Sequence, residues 1–350
     1  MRRWIVGLLV VLMIAASGCV RGKNRYQAEF LSLFDTVTMI VGYAENEQEF
    51  TELAKEIKKK LTEYHQLYDI YNNYEGINNL KTINDNAGKA PVKVDERLLS
   101  LIKFAKQQYY ATNGKINIAF GPVLAIWHDY RTRGIENPEE AELPPRKLLL
   151  NAAQHTDIEG VIINEEASTV FLKDPQMRLD VGAVAKGYAV ERVVQELESQ
   201  GVTSLILSVG GNVRTIGGKP GKRGTEPWRI GIKNPDEDSP DTELCSIAVT
   251  DQSVVSSGSY ERYYTVDGIR YHHIIDPRTL MPAAYVTSVT IVCQDSGLAD
   301  VLSTAVFNMP YEEGRAFIEG IDGVEALWVT NTGQVRYTDG FKKMMVNDKK

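Results

Sequence analysis

Asp300 and Thr304 stand four residues apart in the run ADVLSTAV. Four residues is just over one helical turn, so on a helix the two side chains share a face. A carboxylate and a hydroxyl converging from one face make a hard-oxygen site, the kind Mg²⁺ takes when phosphate supplies further ligands. The same spacing equally suits an ordinary amphipathic helix with a buried Thr and an exposed Asp. Upstream, His272 and His273 precede Asp276-Pro277. Strand neighbours face opposite sides, so at most one of the two His points into a site, and a lone inward His is more often a satisfied core residue than a catalyst.

Three glycine-bearing segments invite a ligand. Asp180-Val-Gly-Ala-Val-Ala-Lys-Gly187 leads into a helix, whose first N–H groups are open to an anion, and Lys186 can reach a phosphate as a point charge. The plain alternative is a tight helix entry with Lys186 in solvent. Gly210-Gly211-Asn212 follows an apolar strand and suits a turn with positive φ. Ser256-Ser257-Gly258-Ser259-Tyr260 offers hydroxyls beside a glycine, for phosphate or flavin or merely for solvent. None is a P-loop or GxGxxG, and no G-x-S-x-G occurs. With 46 acidic residues, carboxylate pairs say nothing about a glycosidase.

These residues need a scaffold. Residues 29–43 read as one strand, and residues 47–68 as a helix with apolar spacing at Phe50, Leu53, Ile57, Leu61 and Tyr64. A second helix covers 94–112 and stops at Asn113-Gly114; residues 137–145 are an acidic surface excursion. A hairpin at 161–172 turns over 164–168, and a helix follows at 183–199. Strands are expected at 205–209, 228–233, 246–250, 263–266 and 286–293, helices at 298–307 and 311–320, and a closing hairpin at 327–338. Strands in runs without regular βαβ alternation point to an α+β fold, a mostly antiparallel sheet core with flanking helices.

The ends and composition set the context. Arg2 and Arg3 precede an apolar stretch of signal-peptide length, and Ala15-Ala16-Ser17-Gly18 ends at Cys19. That arrangement resembles a bacterial lipobox, with Ala16 where Leu is usual. Residues 1–18 are then a lipoprotein signal peptide, 19–28 a tether and 29–345 the folded domain. Lipid on Cys19 would hold the domain at the extracytoplasmic face of the cell membrane. Losing Arg2 and Arg3 leaves 37 basic against 46 acidic residues, a net −9 that excludes nucleic-acid binding through net charge. Beyond Cys19 only Cys245 and Cys293 remain, and no Cys/His spacing suggests zinc.

In combination, Phe34-Asp35-Thr36, Tyr71, DVGAVAKGYAVERV, SVGGN, PWRIGIKNP, SSGSYER, HHIIDPRT and ADVLSTA resemble the ApbE family of FAD:protein FMN transferases, in consistent order from Phe34 to Phe307. The resemblance implies an Mg²⁺-dependent enzyme that moves FMN from FAD to a Thr or Ser hydroxyl of a membrane electron-transport flavoprotein, releasing AMP. It implies metal ligands at Asp300, Thr304 and the Ala183 carbonyl. It implies a flavin nucleotide site lined by Phe34, Tyr71, Lys115, Ile116, Asn117, Asp180, Lys186, Ser257, Gly258, His273 and Ile274. His273 and Asp276 are the candidate general bases. Two residues depart from the family pattern: Asn117 where Asp is common, and Leu280 where Gly usually follows Thr. An FAD pyrophosphatase uses the same pocket, a non-enzymatic FAD carrier would release no AMP, and a solute-binding lipoprotein would show two hinged α/β lobes.

Overall fold

The computed structural model describes residues 23–222 and 224–346. Its frame is an eight-stranded antiparallel sheet whose strands lie side by side in chain order. They are β1 (Asn24–Leu33), β2 (Thr36–Ala44), β3 (Ser204–Val209), β4 (Asn212–Gly217), β5 (Ser253–Gly258), β6 (Val286–Cys293), β7 (Glu325–Thr330) and β8 (Val335–Tyr337). Apart from a C-terminal helix (Asp339–Met344) and the short strand Met345–Val346, the other described elements are inserted between neighbours of this meander. The long insertion between β2 and β3 carries α1 (Glu47–Tyr68), α2 (Glu96–Ala111), α3 (Gly121–Glu136) and α4 (Ala185–Ser199). The insertion between β6 and β7 carries α5 (Ser296–Phe307) and a helix at Tyr311–Glu319. One continuous sheet is the α+β architecture expected, and it excludes two hinged lobes.

Alternation along the strands separates two cores. On β6, Val289, Ile291 and Cys293 face the helices, whereas Val292 faces the opposite side. There a smaller sheet, Trp228–Lys233 with Glu243–Val249 and Met345–Val346, closes over Val41, Ile206, Val254 and Phe341. A third cluster joins α3, the helix Arg146–Ala153 and the hairpin Tyr263–His272 through Phe120, Trp127, Leu149, Tyr264 and Leu280.

Several sequence expectations change at the ends of elements. Residues 29–43 are two strands, because Phe34 and Asp35, both at φ 53°, turn the chain between β1 and β2. Residues 24–28, expected in the tether, already pair in β1. Signal peptide and Cys19 lie outside the described residues. The serine run at 256–258 is the end of an interior strand, β5, rather than a solvent loop, and Asn212 opens β4 rather than ending a turn. Helix α3 and the helix Arg146–Ala153 have no counterpart in the sequence reading.

Candidate active site where two helices begin

Helices α4 and α5 meet through their first turns, in reverse order. Gly187 of α4 donates its N–H to Asp300 Oδ2 at 2.9 Å, and Ser296 at the start of α5 donates its N–H to Glu191 Oε2 of α4 at 2.9 Å. Each helix start, where N–H groups lack partners, thus receives a carboxylate from the other helix. The approach requires glycine at 187: a Cβ there would lie 2.2 Å from the Ser296 carbonyl oxygen and 2.6 Å from Asp300 Cβ. Further pins hold the start of α5. Asp295 caps it by accepting from Leu298 N–H at 2.8 Å, and Ser296 Oγ donates to Asn212 Oδ1 at 2.7 Å.

Ala183 stands just before the N-cap Val184, the Gly187 N–H goes to Asp300, and among the described residues the Ala183 carbonyl accepts no hydrogen bond. Asp300, only 4 % exposed, has its Oδ1 3.9 Å from Lys186 Nζ. Thr304 lies one turn along α5, its Oγ1 3.5 Å from Ser257 Oγ, which itself bonds Ser303 Oγ at 2.8 Å. A carboxylate oxygen, a hydroxyl and a free carbonyl are hard donors that fit Mg²⁺. No group of three His, Cys, Asp or Glu exists among the described residues, so a metal held wholly by such side chains has no home there.

Aromatic and cationic groups gather around Asp180 and His273 and form the mouth of the candidate site. Phe34 sits edge-on to His65, and its N–H donates to His65 Nδ1 at 3.2 Å. Tyr71, 53 % exposed, packs against the His128 ring at 5.7 Å between centroids. Arg131 donates to His128 Nδ1 at 3.0 Å, and burial together with the charge of Arg262 lowers the Arg131 pKa. Burial raises the Asp180 carboxyl, against the opposing pull of the Gly182 N–H, His128, Arg178 and Arg131.

The two adjacent His part company as the strand geometry requires. His272, at the end of its strand, is buried: Nε2–H donates to the Ala283 carbonyl at 2.8 Å, and Nδ1 accepts from Ile274 N–H at 3.2 Å. Both nitrogens are spent. His273 is half-buried, and its Nδ1–H donates to the Arg262 carbonyl at 3.3 Å, which leaves Nε2 with a free lone pair. Burial, then His272, Arg262, Arg131 and Lys186, hold its pKa down at about 3.

Other expected residues serve the frame. Asp276 is sealed from solvent, with Oδ1 accepting from Arg278 N–H at 2.9 Å and Oδ2 from Tyr285 OH at 2.7 Å, so it ties down a turn. Lys115 Nζ donates to the Asn308 carbonyl at 2.7 Å and pins the far end of α5. Ile116 and Ile274 belong to the main core. Asn117 uses both ends of its amide, accepting from Ala119 N–H and donating to the Thr156 carbonyl at 2.9 Å; an Asp could make only the first bond. Gly258 makes room for the Tyr260 ring, 2.3 Å from where a Cβ would stand. Leu280 holds φ 62°, the conformation for which glycine is usual, while its side chain fills the third cluster. Glu191, Arg214, His128, Arg131 and Arg262 were missed by the sequence reading. The available signal was a charge inside an apolar helix run, YAVERVV, and inside an apolar strand, NVRTIG.

The ApbE family model matches residues 34–328. The FAD:protein FMN transferase of Klebsiella pneumoniae (strain 342) is 35% identical over 254 residues, covering 72% of this chain and 75% of the relative. That of Treponema pallidum (strain Nichols) is 31% identical over 349 residues, covering 96% and 94%. The crystal structure of the ApbE protein from Thermotoga maritima aligns with a TM-score of 0.79 at 32% identity, covering 93% of this chain and all of that one (100%). Flavin transferase ApbE from Vibrio cholerae aligns with a TM-score of 0.75 at 26% identity, covering 92% and 100%.

Proposed function

The chain belongs to the ApbE family, and from that premise we propose that it is an FAD:protein FMN transferase, forming a phosphoester on a Thr or Ser hydroxyl and releasing AMP. The observation that carries the reading is the α4–α5 crossing, which gathers Asp300 and Lys186 beside the helix start preceded by Ala183, whose carbonyl accepts no hydrogen bond among the described residues. Asp300, Thr304 and Ala183 would hold Mg²⁺, which supplies charge neutralisation at the phosphate oxygens. Lys186 meets the diphosphate as a fixed positive charge. Tyr71 and Phe34 offer ring surface to the flavin nucleotide.

His273 Nε2 takes the proton of the attacking hydroxyl. The oxygen then forms a bond to the FMN-side phosphorus, the anhydride P–O bond breaks, and AMP leaves with its electron pair. Burial first, then the charges of His272, Arg262, Arg131 and Lys186, hold His273 neutral in the free enzyme. A bound diphosphate offsets those charges, so the base strengthens when FAD arrives. Asp276 is set aside as a base because it is sealed from solvent, where an acceptor hydroxyl cannot reach it, and its oxygens hold the turn.

The acceptor is a flavoprotein subunit of a membrane electron-transport complex, and a lipidated Cys19 keeps the enzyme beside it. No described helix is long and apolar enough to cross a membrane. The test is to mix protein, FAD, Mg²⁺ and a Thr-bearing acceptor domain, then weigh the acceptor intact and assay AMP. One FMN phosphoryl unit per acceptor with matching AMP is expected, and none with Asp300→Ala. Free FMN and AMP with an unmodified acceptor would convert the reading to a pyrophosphatase. No AMP with FAD retained would leave a carrier.

A further inference from the structure

We infer that Glu191 is a positioning residue for the Asp300 end of the site, acting through the second of the two carboxylate-to-helix contacts. The inference rests on the metal reading above. Gly187 and Glu191 are one turn apart on α4; Ser296 and Asp300 are one turn apart on α5. The contacts Gly187–Asp300 and Glu191–Ser296 are therefore rungs of one ladder, and α5 can slide or tilt at the first only if the second gives.

The second rung is the one built to resist. Glu191 is 3 % exposed, and its carboxylate accepts hydrogen bonds from three separate donors. Oε2 also accepts from Arg214 Nε at 3.2 Å, and Oε1 accepts from Gln195 Nε2 at 3.0 Å. Arg214, fully buried on β4, in turn donates to the Thr215 carbonyl and lies 3.5 Å from Glu198. The carboxylate thereby links β4, α4 and the first N–H of α5, so the sheet itself sets where α5 starts. No catalytic group touches Glu191; its effect passes along α5 to Asp300 and Thr304.

The deciding comparison removes the buried charge pair and varies only the acceptor for the Ser296 N–H. Glu191→Gln/Arg214→Met keeps an oxygen there, and Glu191→Met/Arg214→Met does not. Neither leaves an unpaired buried charge, the condition under which such replacements keep their fold. Two quantities are read with FAD present: the Mg²⁺ concentration that half-saturates the rise in melting temperature, and the one that half-saturates AMP release. We expect Met/Met to need roughly tenfold more Mg²⁺ or beyond, as when second-shell partners of a metal ligand are lost. Gln/Met should stay within about threefold of the unaltered protein by the same reasoning. A merely structural role would lower the melting temperature of Met/Met while both half-saturation points stay equal between the two variants, and that result overturns the inference. An unaltered protein that shows no Mg²⁺ response in either quantity refutes the metal reading itself, and the inference with it.

Discussion

Replacing Gly187 with Ala tests the crossing at its tightest point. The added Cβ would stand 2.2 Å from the Ser296 oxygen and 2.6 Å from Asp300 Cβ, where ordinary contact begins at 3.4 Å. α5 must therefore back away by roughly 1 Å, since neither neighbour is a flexible side-chain tip. Overpacking of this kind costs about 1–3 kcal/mol, against which the better helix propensity of Ala returns up to about 1 kcal/mol. Net stability should fall by about 1–2 kcal/mol, read as a shift in the urea midpoint at unchanged slope. Activity should fall further than stability. A displacement of about 1 Å in a group that organises phosphoryl transfer is worth about a hundredfold. The assay is AMP release at saturating FAD and Mg²⁺, at a temperature where the variant is fully folded. A variant that is more stable and releases AMP within about twofold of the parent rate would show that the crossing tolerates the shift, and the argument from Gly187 to Asp300 would fail.

Other outcomes follow from the same structure. His273 is held near a pKa of about 3 against an ordinary 6.5, so the fold favours its neutral form. Its contribution to stability is complete above pH 6.5 and is lost as pH falls toward 3, because the unfolded chain takes up a proton the folded chain refuses. Urea midpoints should therefore drop between about pH 7 and about pH 4.5, and His273→Gln should flatten the drop; an unaltered slope in the variant contradicts the assignment. Leu280→Gly relieves positive-φ strain of about 1 kcal/mol but forfeits burial of about 2–3 kcal/mol, for a net loss near 1–2 kcal/mol by denaturant melting. A gain instead would mean that strain outweighs packing at this turn. Cys293, facing the helices, has its thiol pushed up to about 12 by burial, while Cys245 lies under the other face of the sheet. Native alkylation near pH 8 should label Cys245 slowly and spare Cys293, and a Cys245–Cys293 disulfide in the peptide map would contradict the two-faced placement.

How much of this was legible beforehand depends on where each signal sat. Asp300 and Thr304 were visible because a four-residue spacing on a helix is a local property, and both do lie on α5. The break between β1 and β2 was invisible because Phe34 and Asp35 adopt positive φ without glycine or asparagine to announce it. β5 was hidden by its serines, which read as loop until Ser256 and Ser257 find Thr290 and Ser303 across the packing. Helix α3 opens on Gly-Pro and continues through the polar run HDYRTR, so its apolar face is thin. Glu191 and Arg214 meet across 23 residues of chain, and no periodicity reports a pairing of that kind. The same holds for the mouth, where His128, Arg131, Asp180, Arg262 and His273 arrive from four separate segments.

The β1–β2 turn carries a consequence for the geography of the membrane surface. β1 begins one residue after the described chain starts and ends ten residues later at Phe34–Asp35, beside the mouth. A ten-residue strand is about 33 Å long, and residues 20–23 add at most about 14 Å of extended chain from a lipidated Cys19. With Cys19 lipidated as proposed, the turn at the far end of β1 would lie at most about 45–50 Å from the leaflet. Acceptor hydroxyls within that distance would then be in reach of the anchored enzyme, and domains that stand taller would have to bend down to be modified.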